Sequence, residues 1–250
     1  MKAVRFNEVS KQFGGAKVLD QINLEIDPGL TFGLIGANGA GKTTMIKCLL
    51  DFCHLNNGEI QVFGNDHRRV ESKAYLSYLP ENFRAPFFQT GEEFLRMLSR
   101  LNGEKYDLQA VNDTLTLLGF DIRALKRKVR TYSKGMCQKL GLAGCILADK
   151  PLLIIDEPMS GLDPIARANF KALLAEQKQR GKTLFFSTHL LNDLESICDR
   201  IAILVSGKLQ FFGTIEASHK QFEVDSLEAA YRKCFAIAGS LDRDADQKAA

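Results

Sequence analysis

A glycine-rich segment carries the strongest chemical pattern in the chain. GANGAGKT, at 36–43, satisfies the spacing G-x-x-x-x-G-K-[ST] and stands between a predicted strand and a predicted helix. Glycines let the backbone curl so that successive N–H groups point at phosphate oxygens, and the helix N-terminus reinforces this attraction. We expect Lys42 to add positive charge and Thr43 to offer an oxygen to Mg²⁺. The residues that we expect to bind a nucleotide here are Gly36, Ala37, Asn38, Gly39, Ala40, Gly41, Lys42, Thr43 and Thr44.

Two adjacent carboxylates end a later apolar run and could supply the rest of a phosphate-transfer site. In LLIIDEP, at 152–158, Asp156 would stand at the tip of a buried strand and hold the magnesium shell. Glu157 could face a water in line with the γ-phosphate and act as a general base. Strand ends often carry acidic residues, so the pair becomes informative because it follows a phosphate loop.

Hydrophobic periodicity predicts the strands and helices that must position these residues. Thr90 and Glu93 have the spacing of a capping box, so a helix should begin there, and residues 82–148 look largely helical. Apolar strands alternating with helices indicate a parallel sheet covered on both faces, and hence an α/β fold. We predict strands at 3–9, 18–26, 31–35, 58–64, 74–80, 151–156, 183–187 and 201–205, and helices at 42–50, 108–118, 164–180, 190–199 and 226–238.

Three further motifs, in a fixed order along the chain, give the sequence a family resemblance. YSKGM at 132–136, SGLDP at 160–164 and STH at 187–189 stand in order around the acidic strand. With the phosphate loop, this order resembles the nucleotide-binding domain family of ABC transporters. The resemblance implies a P-loop NTPase fold with a mostly parallel RecA-like core sheet, a small antiparallel β subdomain and a helical subdomain. We expect one such domain at 1–239, with the helical subdomain at about 82–148, and a frayed tail at 240–250.

The resemblance also implies roles for residues outside the phosphate loop. Two domains would pack head to tail, so that Ser133 and Gly135 touch the γ-phosphate bound by the partner. His189 would contact the γ-phosphate and steady the attacking water, and Asp163 would communicate across the dimer. Phe13 would stack on adenine. The plainer alternatives are a serine N-cap, a helix-capping histidine and a core phenylalanine.

Two departures from the family pattern point to one subgroup of the family. YLPEN, at 78–82, offers Glu81 where the family usually has a glutamine near the metal, and a carboxylate oxygen could still reach Mg²⁺. The signature replaces one glycine and the glutamine of LSGGQ with Lys134 and Met136. Both changes resemble the subgroup that serves ABC-2 type exporter permeases. In the family, the following loop receives the membrane subunit, so Phe83, Phe87 and Phe88 are candidates for that contact, with local core packing as the alternative.

Composition excludes several other classes of protein. The chain is 45% hydrophobic and 25% charged, within the range of ordinary globular proteins. It has no apolar run long enough to span a bilayer and no secretory signal, so we expect a cytoplasmic location, held at the plasma membrane through the permease. Six scattered cysteines predict reduced thiols. A net charge of +3 gives no reason to expect nucleic acid, and KRKVR, at 126–130, is best interpreted as a solvated loop.

These observations predict an ATPase subunit that dimerises around Mg·ATP and drives a separate permease, with export and a homodimer favoured. One alternative is a soluble ABC-type ATPase that acts on DNA or ribosomes. Such proteins usually carry a long coiled coil or two tandem cassettes, and this sequence has neither feature. A second alternative is a regulatory cassette that binds ATP without hydrolysing it, which the presence of Lys42, Asp156, Glu157 and His189 disfavours.

Overall fold

Two β-sheets organise the residues that the computed structural model describes, namely 1–159, 162–191 and 194–249. The smaller sheet is antiparallel and has the order β2-β1-β4-β5. Its first two strands form a long hairpin that turns at Gly14 and Gly15, both at positive φ. The strands are β1 (Val4–Phe13), β2 (Ala16–Ile26), β4 (Asn57–Val62) and β5 (Asn65–Asp66).

The larger sheet has six strands in the order β10-β9-β3-β8-β7-β6. All its pairings are parallel except that of β10 with β9. Every residue of β3, β7 and β8 is buried, as expected for mainly apolar strands in a sheet covered on both faces. The strands are β3 (Thr31–Ile35), β6 (Leu76–Leu79), β7 (Leu152–Asp156), β8 (Thr183–Thr188), β9 (Arg200–Val205) and β10 (Lys208–Gly213).

Helices cover the larger sheet and fill most of the segment 82–148. Residues 122–126 and 129–131 form two 3₁₀ turns that precede the signature. No described helix is both long and apolar enough to cross a membrane. The α-helices are α1 (Lys42–Leu49), α2 (Val70–Lys73), α3 (Gly91–Leu101), α4 (Leu108–Leu117), α5 (Lys134–Leu147), α6 (Pro164–Gln179), α7 (Ile215–Phe222) and α8 (Leu227–Ala249).

The predicted capping box at the start of α3 is confirmed. Thr90 Oγ1 accepts from the Glu93 backbone N–H at 3.1 Å, and the Thr90 N–H donates to the Glu93 carboxylate at 2.6 Å. Two N–H groups that the first turn would leave unpaired are thereby satisfied. The cap holds a helix whose residues Phe94 and Leu95 are buried in the core.

Replacing Thr90 with alanine is therefore expected to lower the free energy of unfolding by about 1 kcal/mol. Urea titration followed by circular dichroism measures the loss. Thr116→Ala is the matched control, because Thr116 is exposed near the end of α4, and its effect should stay below about 0.5 kcal/mol. An equal loss in both variants would contradict a capping role for Thr90.

The predicted helix at 190–199 is wrong in the part that the structure describes. Residues 194–197 form turns, with Cys198 N–H donating to Leu194 O at 2.9 Å, and the chain then enters β9. Asp199 fixes this entry because its backbone N–H donates to Thr31 O while its carboxylate accepts from Thr31 N–H. Pairing with β3 therefore fixes the chain in an extended conformation from Arg200 onward.

The last helix is longer than the predicted 226–238. It runs from Leu227 to Ala249, through the segment expected to be a frayed tail. The ten residues after Ser240 contain neither proline nor glycine; three are aspartate, and the other seven are alanine, leucine, arginine, lysine or glutamine, which are good helix formers. Its intrinsic helix propensity accounts for the extension.

Candidate nucleotide site

The phosphate loop links β3 to α1 through a turn that only glycine fits. Gly39 and Gly41 have φ angles of 84° and 110°. A Cβ atom on Gly41 would lie 2.8 Å from Val18 O, and one on Gly36 would lie 2.7 Å from Leu204 O. Both backbones therefore approach their neighbours too closely for any side chain. The loop leaves residues 37–39 exposed at the start of α1.

Lys42 folds back into the base of this loop. Its ammonium group donates to Gly36 O at 2.8 Å and lies 3.3 Å from Glu157 Oε1. The lysine is almost fully buried, so the charge is held in place by the loop and by the opposite carboxylate. An ammonium in this position can add positive charge for a phosphate.

The tip of β7 brings Asp156 to Thr43. Thr43 Oγ1 donates to Asp156 Oδ2 at 2.9 Å, and the Ser187 hydroxyl donates to Asp156 Oδ1. Among the described residues, no group of three or more histidine, cysteine and acidic side chains forms a metal cluster. One carboxylate and one hydroxyl nevertheless fit Mg²⁺, which takes few protein oxygens and completes its shell with phosphate and water.

Glu157 is the centre of a three-residue contact. Its Oε2 lies 2.9 Å from His189 Nδ1, while its Oε1 faces Lys42. Only 5% of Glu157 is exposed, and its φ of 51° is rare for a residue with a side chain. The backbone N–H of Glu157 donates to both the carbonyl and the hydroxyl of Ser187, at 3.2 and 3.1 Å. These bonds hold a strained backbone that aims the carboxylate at Lys42 and His189.

Glu81 follows β6 on the same edge of the sheet. Because β6 pairs in parallel with β7, the chain after Leu79 lies beside the acidic tip of β7. Tyr78 reports this proximity: burial raises the pKa of its phenol to about 12, and the carboxylates of Asp156 and Glu81 add to the shift. Glu81 itself is exposed.

Comparison with known proteins identifies the family. The family model described as "ABC transporter" matches residues 19–160, more than half of the chain. The chain belongs to the ABC transporter family. An ABC transporter ATP-binding protein of Synechocystis is 38% identical over 200 residues, which are 79% of this chain and 56% of the relative. The bacitracin transport ATP-binding protein of Enterococcus faecalis is 34% identical over 223 residues, 87% of this chain and 71% of that protein.

A solved structure supports the same assignment for the fold. An ATP-binding subunit of an ABC transporter superposes with a TM-score of 0.82 at 30% identity, over 93% of this chain and 99% of that one. The α/β fold predicted from the sequence is therefore confirmed. None of these relatives supports the alternative of a soluble ATPase acting on DNA or ribosomes. The chain spans 56% and 59% of the length of two cyanobacterial relatives, so those proteins contain additional sequence.

The ABC signature lies at the start of α5. Ser133 is the N-cap, and its hydroxyl accepts from Met136 N–H at 3.2 Å. Ser133 and Lys134 are exposed, and Gly135 is partly exposed. Neither Ser133 nor Gly135 contributes to the contact of Lys42, Glu157 and His189 within the described residues. Ser133 therefore forms the N-cap that the alternative interpretation predicted, and it is exposed at the start of α5.

Phe13 and Asp163, two further motif residues, lie at the ends of other elements. Phe13 ends β1 with half of its surface exposed, and Lys11 Nζ lies 4.6 Å above its ring. The alternative of a core phenylalanine is therefore wrong. Asp163 caps α6 by accepting from Ala166 N–H at 2.9 Å. The first two residues of SGLDP, Ser160 and Gly161, lie outside the described residues.

Sequence reasoning missed the roles of three residues in this ABC domain, one in β8 and two in α8. Ser187 binds both Asp156 and the backbone of Glu157, and its only signal was its place in the STH motif. Tyr231 and Phe235, on α8, line a cavity of about 250 Å³ together with residues 37–40 of the phosphate loop. Nothing in the sequence pattern indicated that the last helix would reach the loop, because the two are nearly 200 residues apart.

Proposed function

We propose that this ABC domain binds and hydrolyses Mg·ATP and that the cycle drives a separate membrane permease. The observation that carries the proposal is the contact of Lys42, Glu157 and His189, three residues from three different motifs that the fold brings together. A regulatory cassette would not need a buried carboxylate between a phosphate-binding lysine and a histidine. The activity of the whole protein is proposed on this geometry and on membership of the family.

In this proposal each side chain has one task. Glu157 accepts a proton from the attacking water, His189 steadies that water and the γ-phosphate, and Lys42 binds phosphate oxygens. Thr43 and Asp156 would hold Mg²⁺, and Glu81 would offer a further oxygen. Bound there, the ion would supply positive charge that offsets the charge of the phosphates. Residues 36–44 supply the backbone N–H groups that receive the phosphates, and Phe13 stacks on adenine.

The catalytic unit is proposed to be a dimer of two copies of this chain. Ser133 and Gly135 of one copy would meet the γ-phosphate in the other, using the exposed start of α5. Asp163 would help the two ATP sites communicate across the dimer. The support in the structure is that the start of α5 is accessible and is not part of the site in its own chain.

The membrane partner is proposed to be an ABC-2 type permease, with export as the direction. Of the three candidate aromatic residues, Phe83 packs inward, with its ring centroid 5.7 Å from that of Phe94. Phe87 and Phe88 are exposed. Docking would therefore use mainly Phe87 and Phe88, beside the half-buried Phe83. The same contact would hold the chain on the cytoplasmic face of the membrane. The transported substrate would bind to the permease. Bacitracin appears in the name of a relative and is not assigned to this chain.

Removing magnesium tests the proposed site. Phosphate release from ATP by the unmutated chain should fall to background when the metal is chelated and return when Mg²⁺ is restored. Thr43→Val keeps the side-chain shape but removes the oxygen, so the Mg²⁺ concentration for half-maximal release should rise by at least about tenfold, as loss of one charge-assisted contact predicts. Release that persists in chelator, or an unchanged magnesium dependence in the variant, would contradict the site.

A further inference from the structure

An exposed pair of aromatic side chains, here called the aromatic tip, consists of Phe87 and Phe88. The rings are 68% and 64% exposed, and they pack against each other edge to face, with centroids 5.7 Å apart. Two adjacent large apolar side chains in water are unfavourable unless a partner covers them. The tip thus has the character of the apolar centre of an interface.

The loop of the tip is hydrogen-bonded to the segment 126–130, here called the cationic segment. Val129 N–H donates to Gln89 O at 2.8 Å, and Arg130 N–H donates to Phe87 O at 3.2 Å. Thr90 and Lys128 form an isolated antiparallel bridge beside these bonds. Val129 is buried in the core and anchors the segment. The cationic segment is therefore held beside the tip and is not a free loop.

Positive charge exceeds negative charge on the segment beside the tip. Lys126, Arg127, Lys128 and Arg130 are all exposed. Lys128 lies 3.4 Å from Glu93, and a hydrogen bond from Arg123 together with the charges of Arg123 and Arg127 lowers the pKa of Asp121. The five cations of residues 121–130 exceed the two carboxylates, Asp121 and Glu93, by three. The solvated-loop interpretation does not explain why this surplus is fixed beside exposed aromatic rings.

An apolar centre with a charged rim is the usual anatomy of a protein–protein interface. Resting on the proposed function, we propose that the aromatic tip and the cationic segment together bind an acidic amphipathic segment of the permease. Apolar side chains of that segment cover Phe87 and Phe88, and carboxylates beside them meet Lys126, Arg127 and Arg130. Opposite charges at the rim speed association and select the partner, while the aromatic contact provides most of the affinity.

A membrane surface is the rival occupant. Anionic headgroups would also attract cations, but the rings of the tip would then enter lipid, where they could not receive the permease. The acidic protein segment uses both features at once. The experiment therefore includes vesicles as a separate arm.

The probe is a synthetic amphipathic helical peptide of about 16 residues, with leucine on one face and glutamate on the flanks, and a matched peptide with lysine in place of glutamate. Fluorescence anisotropy measures their binding to the full chain. We expect the acidic peptide to bind at least about tenfold more tightly than the basic one, and the double change Lys126→Glu, Arg130→Glu to reverse this preference. Raising the salt concentration should weaken the binding of the acidic peptide only.

The other end of α3 offers a matched control. Leu101 is 75% exposed there beside the exposed Arg100 and Lys105, so the same chemistry recurs without the tip. The helix has 11 residues, which places this end about 16 Å from the start near the tip. Arg100→Glu with Lys105→Glu should change the affinity for the acidic peptide by less than about twofold, because the charges are screened over that distance.

Three results would overturn the inference: equal binding of both peptides, no binding of the acidic peptide at millimolar concentration, or binding to phosphatidylglycerol vesicles that the double variant abolishes while neither peptide binds. Phosphate release by the double variant without a permease should equal that of the unmutated chain, and its thermal unfolding should be unchanged. If the unmutated chain releases no phosphate, the proposed function fails. If release persists without peptide selectivity, only this inference fails.

Discussion

Replacing Glu157 with glutamine is expected to lower phosphate release from Mg·ATP by at least about 100-fold, the usual contribution of a general base. The amide has nearly the same shape as the carboxylate, so the contact with His189 and the binding of ATP should survive. What it lacks is the basic oxygen that accepts the proton of the attacking water. Single-turnover phosphate release with saturating nucleotide measures the step directly.

The same chemical change at Glu81 is the control. Glu81→Gln introduces the residue that the family usually carries, and an amide oxygen can still reach Mg²⁺, so release should change by less than about tenfold. If Glu157→Gln hydrolyses ATP at the rate of the unmutated chain, Glu157 is not the base. If the two variants lose the same activity, the loss reflects charge near the metal and not proton transfer.

Replacing Lys42 with alanine is expected to weaken ATP binding by about ten- to a hundredfold, the effect of losing hydrogen bonds from a charged group. The change also leaves Glu157 Oε1 buried opposite an empty space, since Lys42 is the only cation beside that oxygen within the described residues. Like charge on the phosphates and on Glu157 would then be uncompensated. Titration with a fluorescent ATP analogue measures the dissociation constant.

Lys47→Ala is the matched control for this change. Lys47 lies on the same helix, α1, but is exposed in its last turn, away from the loop. Its replacement should leave the affinity for ATP unchanged within about twofold, because the charge is solvated and screened. Equal losses in the two variants would indicate a general electrostatic effect of α1, and unchanged affinity in Lys42→Ala would remove the lysine from the phosphate site.

The phosphate loop and the capping box could be predicted because their chemistry is local. Gly41 and Lys42 are identified by a motif of eight consecutive residues, and Thr90 caps the helix that follows it by accepting a hydrogen bond from a backbone N–H three residues along. The parallel sheet could also be predicted, because β3, β7 and β8 are mainly apolar segments of the length of buried strands. Each of these predictions needs no knowledge of distant contacts.

The contacts of Glu157 could not be derived from spacing alone. In the sheet, β8 lies between β3 and β7, so the ends of three strands distant in sequence bring Lys42, Glu157 and His189 together. The resemblance to the family anticipated these roles, but not the support that Ser187 gives to Asp156 and Glu157. The helix predicted at 190–199 was wrong, and the bond that leads the chain into β9 joins Asp199 to Thr31, 168 positions away, so local periodicity could not show it.

The central claim, that ATP closes two copies of this chain around composite sites, is tested most directly by light scattering coupled to size-exclusion chromatography. Glu157→Gln should be a monomer without nucleotide and a dimer with Mg·ATP. Adding Ser133→Asp keeps a good N-cap for α5 but sets a negative charge against the partner's γ-phosphate, so this double variant should bind ATP and stay monomeric. A Glu157→Gln chain that binds ATP as a monomer, or a double variant that dimerises equally well, would contradict the account.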